Sequence, residues 1–267
     1  MGISGILEKT PLVGVFFMSA IWLSSAEAFC PAPGKLPTAQ VRKVVDGDTL
    51  RLADGRSVRM IGLNAPETGK KGKSAEPYAE AARRRLQALV DESAGQVGLR
   101  VGRQGKDHYG RTLANVYGRN GTSFEAQLLS EGLAYQVAIA PNVALVDCQR
   151  SAERAARQAR RGLWRNSPVQ SAGSVSRSGF AVVSGRVESV QRNRGGMWIE
   201  LKGGVVLRIE TKSLASFDQA MLRRLPGSTV EARGWVVDRT RRGGLKTGQA
   251  RWLVPLTHPA MLSPAGG

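Results

Sequence analysis

Cysteine and histidine are scarce in this sequence, with two of each among 267 residues. No second histidine or cysteine accompanies His108, so we interpret it as a turn residue and not as a catalyst. Cys30 and Cys148 are far apart in the chain, and an oxidising compartment could join them in a disulfide. The alternative is two buried free thiols, which export would disfavour.

The sequence also lacks an apolar run long enough for a clear membrane span. The apolar stretch at residues 11–23 follows Lys9 and is shorter than the roughly 20 residues that cross a bilayer. Ala26 and Ala28 place small residues at the positions that signal peptidase inspects. We therefore predict a signal peptide at residues 1–28 and export to the periplasm or the extracellular medium. A retained membrane anchor is the alternative.

Acidic residues are few relative to basic ones, with 21 Asp and Glu against 39 Lys and Arg and a net charge of +18. Such an excess favours binding to polyanions, with an affinity that falls as salt rises. DNA and RNA are therefore the expected partners. Charge alone leaves two alternatives open, a basic surface that only confers solubility and a surface that binds anionic lipids.

The first half of the chain contains short segments in which apolar and polar residues alternate, as is typical of β-strands. Asp54 and Gly55 favour a hairpin turn between two of them. A helical pattern at residues 78–89 follows the third strand, and two more helices are expected at residues 124–131 and 146–161. Five strands with a helix after the third predict an OB-fold barrel. The predicted strands are residues 40–45, 49–53, 56–63, 97–101 and 113–117.

Residues 166–178 are rich in Ser, with Pro and Gly and few large apolar side chains, a composition typical of a linker. We therefore expect a first domain at residues 29–165 and a second at residues 179–262. The second half repeats the order of five strands, with a helix near residues 214–225, and so predicts another small OB-like β domain. The fold class is a β-barrel with helices (α+β). The strands of the second half are predicted at residues 181–190, 197–201, 205–209, 229–236 and 251–255.

Two tryptophans of the second half, Trp198 and Trp235, allow two interpretations. Basic grooves with aromatic platforms suit single-stranded nucleic acid. Tryptophan is, however, highly buried on average in folded proteins. We therefore expect both side chains to be core residues.

Two carboxylates flank a glycine in Asp46-Gly47-Asp48-Thr49, where one predicted strand ends and the next begins. Asp46 and Asp48 can direct oxygens to one point, and carboxylate oxygens suit calcium or magnesium. Taken alone, this sequence is more often only a turn.

Arg59 lies on a predicted strand, and Glu67 ends a turn that Pro66 fixes. Phosphodiester hydrolysis uses a metal that neutralises phosphate oxygens, an arginine that binds developing charge, and a carboxylate that orients or deprotonates water. Arg111 follows in Asp107-His108-Tyr109-Gly110-Arg111, where Tyr109 could stack or form a hydrogen bond. Each residue also has a plain structural alternative, as an exposed strand residue, a carboxylate near a helix or part of a hairpin turn.

These three motifs occur in one order and are followed by Glu131-Gly132-Leu133-Ala134 and by a helix that leads to Gly162-Leu163-Trp164. Together they resemble the staphylococcal nuclease, or thermonuclease-like, family across roughly residues 40–165. The resemblance implies an OB-fold barrel with helices, one calcium ion, and endonucleolytic hydrolysis of DNA and RNA that leaves 3′-phosphate ends. A weaker resemblance relates the second half to OB-type accessory modules of some bacterial nucleases.

The resemblance also implies a set of metal ligands. Asp48 is similar to the first carboxylate ligand, Asp46 is a supporting carboxylate, and Ala65 would bind through its backbone carbonyl. Asn64 stands where many family members have a second Asp ligand, so the site has one negative charge fewer. Because calcium affinity depends on ligand charge, we expect weaker metal binding, and the alternative function is a nucleic-acid-binding OB-fold protein with weakened catalysis.

The remaining roles follow from the same resemblance. Arg59 and Arg111 are similar to the two phosphate-binding arginines, and Glu67 to the general base that acts on the attacking water. Residues 138–140 are Ala, Ile and Ala, where the classical nuclease has tyrosines that stack on the nucleotide. The other candidate substrate contacts are Tyr109 and two lysines of a basic loop, Lys70 and Lys71.

Overall fold

The computed structural model describes residues 1–2, 30–69, 72, 74–242, 245 and 248–265. Nearly all of the predicted signal peptide lies outside the described residues, and so do Lys70 and Lys71. Among the helices that are described, none has both the length and the apolar character needed to cross a membrane.

The first half of the described chain has five strands close to the predicted places, two further short strands that were not predicted, and three α-helices. Ser123 begins the second helix, since its hydroxyl oxygen accepts a 3.3 Å hydrogen bond from the Ala126 amide. In chain order the elements are β1 Thr38–Asp46, β2 Thr49–Leu52, β3 Ser57–Met60, β4 Leu63–Asn64, α1 Ala79–Glu92, β5 Gln96–Lys106, β6 Thr112–Tyr117, α2 Phe124–Ser130, β7 Tyr135–Gln136 and α3 Val146–Gln158.

Strands β1, β2, β3, β6 and β5 pair in this order and form a closed barrel. The pair β3–β6 is parallel and the other pairs are antiparallel. Helix α1 lies between the third and fourth barrel strands in the sequence. This arrangement confirms the predicted OB-fold barrel. Its core includes Leu50, Leu52, Val58, Leu86 and Val116, all of which are fully buried.

The second half consists mainly of β-structure. Its elements are β8 Val169–Ser171, β9 Gly179–Asn193, β10 Gly196–Leu201, β11 Val205–Ile209, α4 Gln219–Arg223, β12 Thr229–Asp238, β13 Trp252–Leu256 and β14 Leu262–Pro264, with 3₁₀ turns at Gly162–Trp164, Ala172–Ser174, Thr211–Ser216, Arg239–Arg242 and Pro259–Met261.

Strands β9, β10, β11, β13 and β12 pair in this order, and β12 also pairs with β9. Five strands therefore close a second barrel. Strands β11 and β13, the third and fifth of these strands in the sequence, pair in parallel, as β3 and β6 do in the first barrel. Strand β8 lies within the predicted linker and pairs in parallel with β9. The single helix expected at residues 214–225 is wrong in extent, because Asp218 accepts a 2.8 Å hydrogen bond from the Ala220 amide and starts the short α4.

The two barrels pack directly against each other. Ala138 and Val146, which follow β7 and begin α3, are buried in the same apolar cluster as the core of the second barrel. A second contact is polar, because Arg233 of β12 forms a 2.6 Å ion pair with Glu153 of α3. These contacts fix the face of the second barrel that lies against the first.

Cys30 and Cys148 form a disulfide with an S–S distance of 2.11 Å. The bond attaches the segment before β1 to helix α3. The chain that it closes contains the whole first barrel, since the two cysteines are 118 positions apart.

Candidate active site

The turn between β1 and β2 holds the first candidate metal ligands. Asp46 and Thr49 are paired across this turn. Gly47 has no room for a side chain, since an added Cβ would lie 2.6 Å from the Cβ atoms of both Ala65 and Ala82. The glycine therefore allows the turn to approach the segment after β4 closely.

The carboxylate of Asp48 is buried and has several partners. One oxygen accepts a 2.9 Å hydrogen bond from the Ala65 amide, and the other accepts one of 3.0 Å from the Thr49 hydroxyl. Arg59 forms an ion pair with the same carboxylate. Asp46 accepts a 3.2 Å hydrogen bond from the Asp48 amide and so supports the turn.

Arg59 is directed to the site by the alternation of β3. Val58 and Met60 point into the barrel core and are buried, whereas Arg59 lies on the opposite side of the strand. Its guanidinium donates a 2.9 Å hydrogen bond to the side-chain oxygen of Asn64 and also contacts Asp48. One cationic group thus joins two of the candidate metal ligands.

Burial lowers the pKa of Arg59 to about 10, and the charge of Arg111 contributes to the decrease. Asp46, Glu67 and Asp107 act in the opposite direction. The guanidinium remains protonated at neutral pH, so it can bind an anionic phosphate there.

Glu67 is exposed, and its backbone is held in place. The Glu67 amide donates a 3.0 Å hydrogen bond to the carboxylate of Glu76, and the Glu76 amide donates one of 3.0 Å to the Glu67 carbonyl. These bonds fix the segment that leads from β4 to α1. The side chain of Glu67 lines the same cavity as Arg59.

Arg111 is oriented by Asp107 at the hairpin between β5 and β6. The guanidinium donates a 2.7 Å hydrogen bond to one carboxylate oxygen, and the Tyr109 and Arg111 amides each donate one of 2.9 Å to the other. Burial raises the pKa of Asp107, but the hydrogen bonds from Arg111 outweigh it and hold the pKa below its usual value. Arg111 also lies over the Tyr109 ring, 5.4 Å from its centre.

A cavity of about 690 Å³ joins these groups. Asp46, Asp48 and Ala65 are buried and do not line it, although Asp48 contacts the cavity residue Arg59 directly. Lys70 and Lys71 lie outside the described residues. The predicted residues that the cavity brings together are Arg59, Asn64, Glu67, Tyr109 and Arg111.

Two supporting residues of the site were not predicted from the sequence. Asp107 belongs to a sequence motif, but the motif does not indicate that Asp107 orients Arg111. Gln149 of α3 donates a 3.1 Å hydrogen bond to the Ile61 carbonyl, just before β4. No sequence signal connects Gln149 with Ile61, which is 88 positions away.

Trp235 of β12 also lines the cavity, and its side chain is 38% exposed. The interpretation of Trp235 as a core residue is therefore wrong. Trp198 is half-buried and lies on β10, with the guanidinium groups of Arg208 and Arg239 over its ring at 5.1 and 5.6 Å. Trp198 does not line the cavity.

Two oxygen-bearing side chains in contact with Arg59 are the candidates for holding a hard cation. The Asp48 carboxylate and the Asn64 amide oxygen already share one cationic partner, Arg59, and both are ligand types that calcium accepts. Among the residues that the structure describes, no cluster of three or more His, Cys, Asp or Glu could hold a metal. A metal here would therefore rely on a mixed set of carboxylate, amide and backbone carbonyl oxygens.

Comparison with known proteins relates the first half of the chain to nucleases. The model of staphylococcal nuclease homologues matches residues 57–166. Endonuclease YncB of Bacillus subtilis (strain 168) is 33% identical over 150 residues, which are 55% of this chain and 68% of that protein. The thermonuclease of Staphylococcus hyicus is 35% identical over 134 residues, 48% of this chain and 76% of the relative. The thermonuclease of Staphylococcus intermedius is 38% identical over 105 residues, 38% of this chain and 61% of the relative.

The family match contains Arg59, Asn64, Glu67 and Arg111, and it ends before the second barrel. It covers the barrel strands β3, β5 and β6 and the helices α1 to α3, and it begins after β1 and β2. The chain belongs to the staphylococcal nuclease family and is a nuclease, a hydrolase of phosphodiester bonds.

Proposed function

We propose that this nuclease is an exported, calcium-dependent endonuclease that hydrolyses DNA or RNA and leaves 3′-phosphate ends. The observation that supports the proposal is the convergence of Glu67, Arg59 and Arg111 on one cavity, with Asp48 in contact with Arg59. An exposed carboxylate, two arginines and a buried metal carboxylate are the groups that phosphodiester hydrolysis uses.

In this proposal the Asp48 carboxylate, the Asn64 amide oxygen and the Ala65 backbone carbonyl would hold one calcium ion, with Asp46 as a supporting carboxylate. When bound, the ion neutralises negative charge on the phosphate oxygens. Asn64 supplies a neutral oxygen, so the affinity for calcium is lower than that of a site with a further carboxylate.

Glu67 acts as the general base. Its carboxylate accepts a proton from water while the water oxygen attacks phosphorus, and the bond between phosphorus and the 5′ oxygen breaks. The departing 5′ oxygen takes a proton from solvent water and leaves as a 5′-hydroxyl. Arg59 and Arg111 donate hydrogen bonds to the non-bridging oxygens, where negative charge develops. Tyr109, which is 73% exposed, contacts the substrate together with Lys70 and Lys71.

The proposed organisation has a signal peptide at residues 1–28, a catalytic domain at residues 29–165, a linker at residues 166–178 and an accessory domain at residues 179–262. The disulfide between Cys30 and Cys148 supports export, because such bonds persist in oxidising compartments. The proposed location is the periplasm or the extracellular medium.

Digestion of single-stranded and duplex DNA by residues 29–267, with calcium added or chelated, tests the proposal. Glu67→Gln and Arg111→Ala should abolish most of the activity, since a general base contributes about 10²- to 10⁴-fold. The matched controls are Glu80→Gln and Arg83→Ala, an exposed ion pair on α1 that is away from the cavity.

Products with 5′-hydroxyl ends, which a polynucleotide kinase labels without prior phosphatase treatment, would support cleavage at the 5′ oxygen. Binding without cutting at any calcium concentration would contradict the calcium-dependent chemistry and favour the weakened nucleic-acid binder. Binding to anionic vesicles that ignores calcium would instead favour the lipid-binding alternative.

A further inference from the structure

The second barrel contributes one aromatic side chain to the cavity of the nuclease site. Trp235 of β12 lines it together with Arg59 and Arg111, although the family match ends at residue 166. An indole that is 38% exposed in a cavity that two arginines line offers a flat apolar surface near groups that can bind phosphate.

The alternation of β12 explains why Trp235 faces the first barrel. Val230, Ala232 and Val236 are buried in the core of the second barrel, so the intervening side chains lie on the other face of the strand. Arg233 on that face forms a 2.6 Å ion pair with Glu153 of α3. Trp235 is two residues further along the strand and reaches the cavity.

Arg233 also connects β12 to the strand beside the candidate metal ligands. Its guanidinium donates a 3.2 Å hydrogen bond to the Gln136 carbonyl of β7. Strand β7 pairs with β4, where Tyr135 lies opposite Asn64. The position of β12 is thus tied to the strand that carries a candidate ligand.

A row of aromatic rings supports Trp235. Phe180 of β9 is its partner across the strands, and the two rings meet edge to face with centres 5.3 Å apart. Phe180 in turn contacts Tyr135 of β7, with ring centres 5.1 Å apart. Edge-to-face contacts of this kind hold aromatic rings in defined orientations. The indole is therefore fixed from behind while part of its surface remains open.

We propose that Trp235 of the second barrel is a stacking platform for a nucleobase next to the bound phosphate. The inference rests on the proposed function of the same cavity. Base-aromatic stacking tolerates any sequence because every base has a flat face. Bases in a duplex are already stacked on each other, so a platform at the cavity favours unpaired ones. Ile139 lines the cavity too and is 40% exposed, which adds apolar surface.

Steady-state cleavage of short oligonucleotides tests this inference in residues 29–267. The substrates are a single strand with all its bases, the same strand made of abasic nucleotides, and a duplex. Trp235→Ala should raise KM for the base-bearing single strand about tenfold, as expected for the loss of one stacked base. It should leave kcat and the KM of the abasic strand nearly unchanged. Trp235→Phe should retain most of the affinity.

Trp198→Ala is the matched control, because Trp198 belongs to the same domain and lies outside the cavity. It should change none of these constants. Equal KM values of wild type and Trp235→Ala on the base-bearing strand would overturn the inference, while calcium-dependent cutting by both would leave the proposed function intact. A wild-type protein that cuts no substrate would instead contradict the proposed function.

Should Trp235→Ala fail to fold, the KM values of Trp235→Phe and the wild type still test the inference. The inference requires that wild type and Trp235→Phe bind the base-bearing strand clearly more tightly than the abasic strand. Equal KM values for the two strands in these proteins would overturn it.

Discussion

Glu125 is a buried carboxyl group that the candidate site does not use. It is fully buried at the start of α2, where it accepts a 2.8 Å hydrogen bond from the Val116 amide and one of 2.9 Å from the Ser123 hydroxyl. Burial raises the pKa of Glu125 from 4.5 to about 8, and these hydrogen bonds only partly oppose the shift. The group therefore connects α2 with β6 mainly in its protonated form.

The raised pKa predicts how stability depends on pH. Below about pH 4.5 the group is protonated in the folded and the unfolded chain, so its contribution is fully present. As pH rises towards 8, the unfolded chain loses the proton first, and the folded state becomes relatively less stable. The stability of Glu125→Gln relative to that of wild type should therefore increase as pH rises from about 5 to about 8.

Urea unfolding of wild type and Glu125→Gln at both pH values measures this change. The glutamine keeps an acceptor for the Val116 amide and can donate to the Ser123 hydroxyl. A difference in unfolding free energy that is the same at both pH values would contradict the prediction. Glu188→Gln, at an exposed position of β9, is the control.

Individual residues of the site differ in how far the sequence could predict them. Arg59, Glu67 and Arg111 belong to local motifs, and the structure brings all three to one cavity. Trp235 reaches the cavity, and Gln149 bonds to the carbonyl of the cavity residue Ile61, only through packing between distant segments. The exposure of Trp235 could not be predicted because it depends on the cavity between the two barrels, whereas residue type alone favoured burial.

At the scale of elements, the hairpin between β5 and β6 positions Arg111 through Asp107. Asp107→Asn keeps an oxygen for the backbone amides of Tyr109 and Arg111 but removes the charged partner of the guanidinium. We expect the activity to fall, and by less than in Arg111→Ala, because the arginine is still present and only its orientation is lost.

A double-mutant cycle separates orientation from other effects. If Asp107 acts only through Arg111, the pair Asp107→Asn with Arg111→Ala should be no less active than Arg111→Ala alone. The measured quantities are kcat and KM for single-stranded DNA. Fully additive losses would show that Asp107 acts independently of Arg111. Asp91→Asn, an exposed helix residue bonded to Gln87, serves as the control.

Strands were easier to predict than their ends and the short helices. The alternation of buried and exposed residues located β2, β3 and β6 within a few residues. Strand β5 runs from Gln96 to Lys106, beyond the predicted 97–101, because its second part pairs at the hairpin and leaves the barrel core. Residue 218 interrupts the predicted helix of the second half, since the preference of Asp for helix N-caps overrode the apolar pattern.

At the scale of the whole molecule, the two barrels share one architecture and are joined by a buried ionic cluster. Glu153 and Arg157 of α3 face Glu231 and Arg233 of β12. Burial raises the pKa of Glu231, but the hydrogen bond and charge of Arg157 prevail and hold it below its usual value. Burial alone would lower the pKa of Arg233, but Glu153 and Glu231 outweigh it and raise the pKa above its usual value. The charged form of each group in the interface is thus stabilised by its ion-pair partners there.

Arg233→Met should destabilise the docked arrangement strongly. It leaves Glu153 without its closest cation, and the loss of one partner of a buried ion pair costs about 3–5 kcal/mol. The variant should unfold at a lower urea concentration than wild type. Because Trp235 lies on the same strand two residues further, KM for base-bearing single strands should also rise.

Replacing both partners distinguishes an unpaired charge from lost packing. Glu153→Gln combined with Arg233→Met removes the uncompensated carboxylate, so the double variant should recover part of the stability lost in Arg233→Met. Arg56→Met is the matched control, since Arg56 pairs with Asp54 at a hairpin where both side chains are about half exposed, and such pairs contribute at most about 1 kcal/mol. An Arg233→Met variant as stable as Arg56→Met would mean that apolar contacts alone hold the barrels together. In that case the position of Trp235 would depend on the cluster around Ala138 and Val146 and not on the ion pairs.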